Sequence, residues 1–140
     1  MDMYEFRSHQ MAMIFQSYYL LNKLTALENV TLAMDIANVH QNDKDVRAIE
    51  LLEKVGLDQE QIHRRILKLS GGQQQRVAIA RALSYDPKII LADEPTGNLD
   101  PDTRDEIMDI FDNLKQQGKC IIIVTHSKEV AQRADKVYTL

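Results

Sequence analysis

Lys88–Glu94, KIILADE, is an unbroken apolar run closed by two acids, and Asp86-Pro87 cuts it off from the pattern before it. A short run of this kind between turn residues is a buried strand, here delivering two carboxylates to its C-terminal end. Downstream, TRDEIMDIFDNLKQQG puts Ile107, Ile110, Phe111 and Leu114 on one helical face, and Gly118 ends it. KCIIIVTH is a second β-branched run, and DKVYTL a third, short one at the terminus. Strand, helix and strand with buried strands imply parallel pairing through a right-handed crossover, so the expected fold class is α/β. Ligands of such sheets bind beyond the carboxyl ends of the strands, where Asp93, Glu94 and His126 fall.

Upstream, MAMIFQ (Met11–Gln16) is a further short apolar run, a strand ending at a glutamine. From Leu20 to Tyr85 the pattern is helical. ALENVTLAMDIA carries Val30, Ala33, Met34 and Ala37 on one face, and DKDVRAIELLEKVG repeats this at Val46, Ile49 and Leu52, with Gly56 as its stop. A third helix is expected to start at Ser70-Gly71-Gly72 and run through QQQRVAIARALSY. Such a start leaves backbone N–H groups uncovered at the positive end of a helix, which suits an anion such as a phosphate.

Composition narrows the function class. The 140 residues are 44% hydrophobic and 27% charged, with net charge -4, which offers no broad basic footprint for nucleic acid. The single cysteine, Cys120, excludes an internal disulfide and is expected to be a small core residue. No apolar run approaches the roughly 18 residues of a membrane span and no signal peptide opens the chain, so any membrane role is expected through a partner. His9, His40 and His63 lack metal-ligand spacing and receive no function.

Taken singly, the polar strand ends are weak signals. Asp93-Glu94 alone is an acidic strand end before a turn, His126 alone a loop or capping residue, and Gln16 alone a glutamine satisfying backbone groups. In order, however, the chain shows Gln16, LSGGQ (Leu69–Gln73), IILADE (Ile89–Glu94), GNLD (Gly97–Asp100) and His126. This combination resembles the ATP-binding-cassette ATPases, the nucleotide-binding subunits of ABC transporters. The resemblance covers essentially the whole chain, and LSGGQQQRVAIARAL followed by ADEPTGNLD carries it.

The resemblance implies a partial P-loop NTPase (RecA-like) parallel-sheet core with the ABC α-helical subdomain. Residues 1–19 would be a remnant of the core ending in the Q-loop, residues 20–85 the helical subdomain with the signature motif, and residues 86–140 the C-terminal half of the core. It implies ATP and Mg²⁺ as cofactors, with Asp93 as the Walker B carboxylate near the metal and Glu94 as the general base. Gln16 matches the Q-loop glutamine that senses the metal and the attacking water, and His126 the switch histidine. Ser70, Gly71, Gly72 and Gln73 would face the γ-phosphate of ATP held by a second subunit, and Asp100 would act across the same dimer. The other implied partner is a membrane permease that receives the helical subdomain, placing the chain on the cytoplasmic face of the membrane. Within the family, ADEPTGNLD and FQSYYLLNKLTALENV resemble the branch of lipoprotein-release, macrolide-efflux and antimicrobial-peptide-export systems and the cell-division ATPase.

Two alternatives are disfavoured. Soluble cassette ATPases of chromosome or repair type insert a long coiled coil, whereas 53 positions separate Gln16 from Leu69 here, without sustained heptads. Tandem cassettes of translation factors carry a long linker, and none is visible. The phosphate loop G-x-x-x-x-G-K-[ST] is absent: Gly56, Gly71, Gly72, Gly97 and Gly118 do not form it. The chain is therefore expected to resemble about two-thirds of a nucleotide-binding domain, to be inactive alone with no tightly bound nucleotide, and to self-associate or exchange elements through an uncovered sheet.

Overall fold

The computed structural model describes residues 11–37 and 43–139. Three strands, β1 (Met11–Phe15), β2 (Ile89–Asp93) and β3 (Cys120–Val124), form one parallel sheet in the order β1-β2-β3. The helices are α1 (Ala26–Ile36), α2 (Lys44–Lys54), α3 (Gln59–Ile62), α4 (Gly71–Leu83), α5 (Pro101–Gln116) and α6 (Lys128–Ala131), with a 3₁₀ turn at Ile66–Lys68. Register is in step across the sheet: Phe15 pairs with Asp93, and Asp93 with Val124. The residues after each strand therefore emerge at one edge.

Local chemistry sets the helix ends. Thr25 and Glu28 exchange capping bonds at the start of α1, with the Thr25 hydroxyl accepting from Glu28 N at 3.1 Å and Glu28 Oε1 from Thr25 N at 3.0 Å. Asp58 and Gln61 do the same for α3, and Ser70 and Gln73 for α4. Each box satisfies two N–H groups that a helix start leaves unpaired. Gly118 follows α5 with φ of +95°, a left-handed stop that an L side chain resists.

The core lies between the helices and one face of the sheet. Helix α4 is its hub, packing on β1, α1, α2 and α5. Val30, Met34, Leu51, Leu52, Val77 and Ile79 are buried among the helices, and Ala12, Ile14, Ile90 and Ala92 are buried on the sheet's inner face. Burying one such aliphatic side chain is worth about 1.5–3 kcal/mol, so this face holds the strands to α4 and α5.

Among the described residues the apolar runs are buried on one face of the sheet only, and the other is the uncovered face expected for this chain. Met11, Met13, Ile122 and Val124 are 45–50% exposed, because no described residue forms a layer over the second face. Cys120 lies on that face and is exposed, not a core residue. Val46, expected to face inward, is 53% exposed, since α2 buries Ala48, Leu51 and Leu52 instead. DKVYTL forms no strand over residues 135–139: no neighbouring strand pairs with it, and Val137 and Tyr138 face solvent. His9 and His40, and residues 1–10 of the first expected segment, lie outside the described residues.

Candidate functional site

Asp93 and Glu94 are consecutive, but the backbone turns between them. Asp93 is the last residue of β2 and is exposed. Glu94 takes φ of +47°, a left-handed conformation that costs a non-glycine residue about 1–2 kcal/mol. Its N–H donates to Val124 O at 2.7 Å. The carboxylate accepts from His126 N at 2.7 Å, and from Thr125 Oγ1 at a longer 3.3 Å. The end of β3 thus holds the Glu94 side chain in place. The His126 imidazole itself is fully exposed, its Nε2 3.9 Å from Glu94 Oε1.

Gln16 follows β1 at the same edge. Its Nε2 donates to Asn98 Oδ1 at 2.9 Å, and its carboxamide lies against Gly97, where a Cβ would stand 2.9 Å from Gln16 Cδ. The loop after Glu94 closes on itself, with Gly97 N donating to Glu94 O at 3.2 Å and Leu99 N to Thr96 O at 3.1 Å. Gln16, Asp93, Glu94 and His126 are therefore gathered at one sheet edge, as the parallel register requires.

Ser70, Gly71, Gly72 and Gln73 form the first turn of α4. Ser70 Oγ accepts from Gln73 N at 3.2 Å, and Gln73 Oε1 accepts from Ser70 N at 3.0 Å. Both side-chain oxygens are thus engaged in capping. The N–H groups of Gly71 and Gly72 meet no acceptor among the described residues and keep the anion-binding capacity of a helix start. Gly71 is exposed, whereas Gly72 is buried, and a Cβ there would collide with the Thr103 methyl. Asp100 caps α5, accepting from Thr103 N at 3.2 Å and Thr103 Oγ1 at 2.6 Å. Those bonds, the side-chain one foremost, hold its carboxyl below the usual carboxylate range. The starts of α4 and α5 abut. Among the described residues no hydrogen bond or ion pair joins them to Asp93, Glu94 or His126.

Several residues escaped the reading of the sequence. Arg81 on α4 donates from Nη2 to Tyr18 O at 2.8 Å and from Nη1 to Tyr19 O at 2.7 Å. Tyr18 and Tyr19 have φ of 60° and 53°, so one guanidinium clamps a strained turn just beyond Gln16. Burial pushes the Arg81 pKa below its ordinary value. Arg76 Nη1 donates to Val55 O at 2.8 Å and its Nη2 pairs with Glu106 at 2.8 Å, linking α4 to α2's end and to α5. Gln75 is buried beneath the Glu94 loop. Its signal was visible: it shares a helical face with Ala78, Ile79 and Ala82, an apolar face holding one amide.

The donor set suits a magnesium nucleotide in part. Among the described residues no group of three or more His, Cys, Asp or Glu side chains is arranged to hold a metal unaided. One or two carboxylates at a strand end, with phosphate oxygens completing the shell, are what Mg²⁺ accepts. Asp93, exposed beside Glu94, and the Gln16 carboxamide supply hard oxygen donors of that kind. A cradle for the phosphates is a separate requirement, and no G-x-x-x-x-G-K-[ST] occurs in these 140 residues.

Comparison with known proteins bears on the family and the fold. The ABC transporter family model matches residues 1–97. The chain is 55% identical over 124 residues to an uncharacterized ABC transporter ATP-binding protein of Thermotoga maritima, covering 89% of this chain and 53% of that protein. It is 48% identical over 131 residues to the macrolide export ATP-binding/permease protein MacB of Bartonella henselae, covering 94% of this chain and 20% of MacB. Among solved structures, the dimeric post-hydrolysis state of the ATP-binding cassette MJ0796 bound to ADP and Pi superposes with a TM-score of 0.80. That match is 39% identical and covers 94% of this chain and 60% of the other. The chain spans about half the length of the curated ATP-binding relatives, 53% for the Thermotoga protein.

Proposed function

Because the chain belongs to the ABC transporter family, we propose that it is part of an ATP-hydrolysing, nucleotide-binding subunit that couples ATP-driven dimerisation to a membrane permease. The observation that carries this reading is the Glu94 carboxylate, bound by the His126 amide at 2.7 Å beside Gln16. A carboxylate so fixed at a strand end is oriented to take a proton from an attacking water, the part a general base plays in phosphoryl transfer to water. His126 borders it with a fully exposed imidazole free to reach a phosphate. Asp93 would hold the metal, with Gln16 after the neighbouring strand positioned to orient it and the water. A bound Mg²⁺ would supply positive charge against the phosphate oxygens.

Ser70, Gly71, Gly72 and Gln73 serve a nucleotide held by a second subunit. The unpaired amides of Gly71 and Gly72 are the groups offered to its terminal phosphate, and Asp100 acts across the same interface. A dimeric cassette among the structural relatives supports this arrangement. An ATP-binding/permease relative supports a membrane partner; in this reading it docks on the helical subdomain, residues 20–85, with residues 1–19 and 86–140 as the core. No helix among the described residues is long and apolar enough to cross a membrane, so the permease would hold the subunit to the cytoplasmic side. A net charge of -4 offers no broad basic footprint for nucleic acid.

The test is Glu94→Gln in a cassette that joins this chain to a phosphate-binding loop. Steady-state ATP turnover falls at least ~10²-fold while ATP binding persists and the dimer accumulates. Retained turnover overturns the role given to Glu94.

A further inference from the structure

We propose that Gln75 is a positioning residue that ties α4 to the loop carrying Glu94, so that the helix start and the carboxylate are held in one register. The proposal deepens the reading of Glu94 as the base and rests on it for its functional meaning.

Gln75 is 0% exposed. Its Nε2 donates to Pro95 O at 2.6 Å and reaches Phe15 O at 3.5 Å. Pro95 follows Glu94, and Phe15 precedes Gln16. One side chain on α4 therefore touches the backbone next to both polar strand ends. Its Oε1 is buried and has no partner among the described residues. An unsatisfied buried amide oxygen is costly, and Met or Leu would fill the same volume without it. Their cost would be different: the buried Pro95 carbonyl would lose its donor. The two terms oppose each other, so the net contribution of Gln75 to global stability is small. What the amide supplies and an apolar side chain cannot is a directional bond that fixes where Pro95 sits relative to α4.

The same bond explains how a non-glycine residue stays at φ +47° immediately before Pro95. Glu94 is held on one side by the β3 end, through Val124 O and His126 N, and on the other by Gln75 through Pro95. Strained backbone of this kind persists where the surroundings over-determine it.

The test uses the full 140-residue chain carrying Gln75→Met and, separately, Gln75→Leu, followed by amide hydrogen exchange and thermal melting. The readouts are the N–H groups of Gly97, bonded to Glu94 O, and of His126, bonded to the Glu94 carboxylate. Both variants are expected to exchange about fivefold faster there, relative to buried β2 amides such as Ile90, with little change in melting temperature. Exchange that is unchanged at these two amides, or that rises only in step with β2, overturns the proposal. The measurement needs no nucleotide, so it is read independently of the Glu94→Gln turnover result.

Discussion

Gln16 and Gly97 share a volume that admits only one side chain. A Cβ on Gly97 would stand 2.9 Å from both Cδ and Nε2 of Gln16, whose amide is bonded to Asn98 Oδ1 at 2.9 Å. Gly97→Ala must therefore move the Gln16 carboxamide. The Gln16 end is flexible, so the cost is expected at about 1 kcal/mol in urea unfolding. With Gln16→Ala already present, Gly97→Ala should cost under ~0.5 kcal/mol, and the double-mutant cycle checks this coupling directly.

Arg81 clamps the turn beyond β1 through Tyr18 O and Tyr19 O. Hydrogen bonds from a charged donor contribute about 1.5–3 kcal/mol each, but one of these is solvent-exposed. Arg81→Met is expected to destabilise by about 2 kcal/mol in total and to open residues 17–21 to proteolysis first. Arg81→Lys restores charge without the two-pronged geometry and should recover less than half of the loss. Equal recovery by lysine would show that charge, not the fork, holds the turn.

Met13, Leu91 and Ile122 are direct neighbours across the sheet on its open face. Half-exposed apolar side chains forgo on the order of 1 kcal/mol of burial each, a standing drive to association. The 140-residue chain is expected to self-associate in light scattering, a second copy covering this face, and Met13→Lys with Ile122→Lys should shift it to monomer. Calorimetry on the same chain should detect no micromolar Mg-ATP binding, since it contains no phosphate loop. A monomer at high concentration before mutation contradicts the first expectation, and micromolar binding the second.

The Lys119 ammonium beside Asp86 holds that carboxyl below its ordinary value of 3.8, chiefly by hydrogen bonding. A depressed carboxylate contributes stability that is present above the unfolded pKa and is lost as pH falls through the folded one. Asp86→Asn tolerates the left-handed backbone at φ 50° and removes only the charge. The wild-type chain should exceed this variant near neutral pH, with the gap closing as pH drops below 3.8. Asp86 is largely exposed, so the gap should stay under ~1 kcal/mol. A gap that widens in acid contradicts the assignment.

The sequence makes the longer helices legible through their apolar periodicity and through ends such as Ser70, Gly56 and Gly118. It also locates the sheet edge, since strand ends at Gln16, Asp93 and His126 follow from short apolar runs. What a single apolar run leaves open is which of its residues are covered. An unbroken run such as KCIIIVTH cannot distinguish a strand packed on both faces from one packed on a single face, so Cys120 was assigned to the core. DKVYTL has strand composition, but a strand needs a partner, and pairing is a property of the whole fold. The residues that brace the candidate site, Arg81 and Gln75, act on backbone carbonyls remote in sequence. Only a polar residue on an apolar helical face hints at them.

Helix α4 has one further consequence. Its first turn offers the Gly71 and Gly72 amides, its middle grips Pro95 through Gln75, and its last turn grips Tyr18 and Tyr19 through Arg81. Thirteen residues of α-helix form a rod about 20 Å long that resists internal bending. A displacement of this rod would therefore shift the Pro95 loop and the Tyr18–Tyr19 turn together, while the end of β3 keeps its own hold on Glu94.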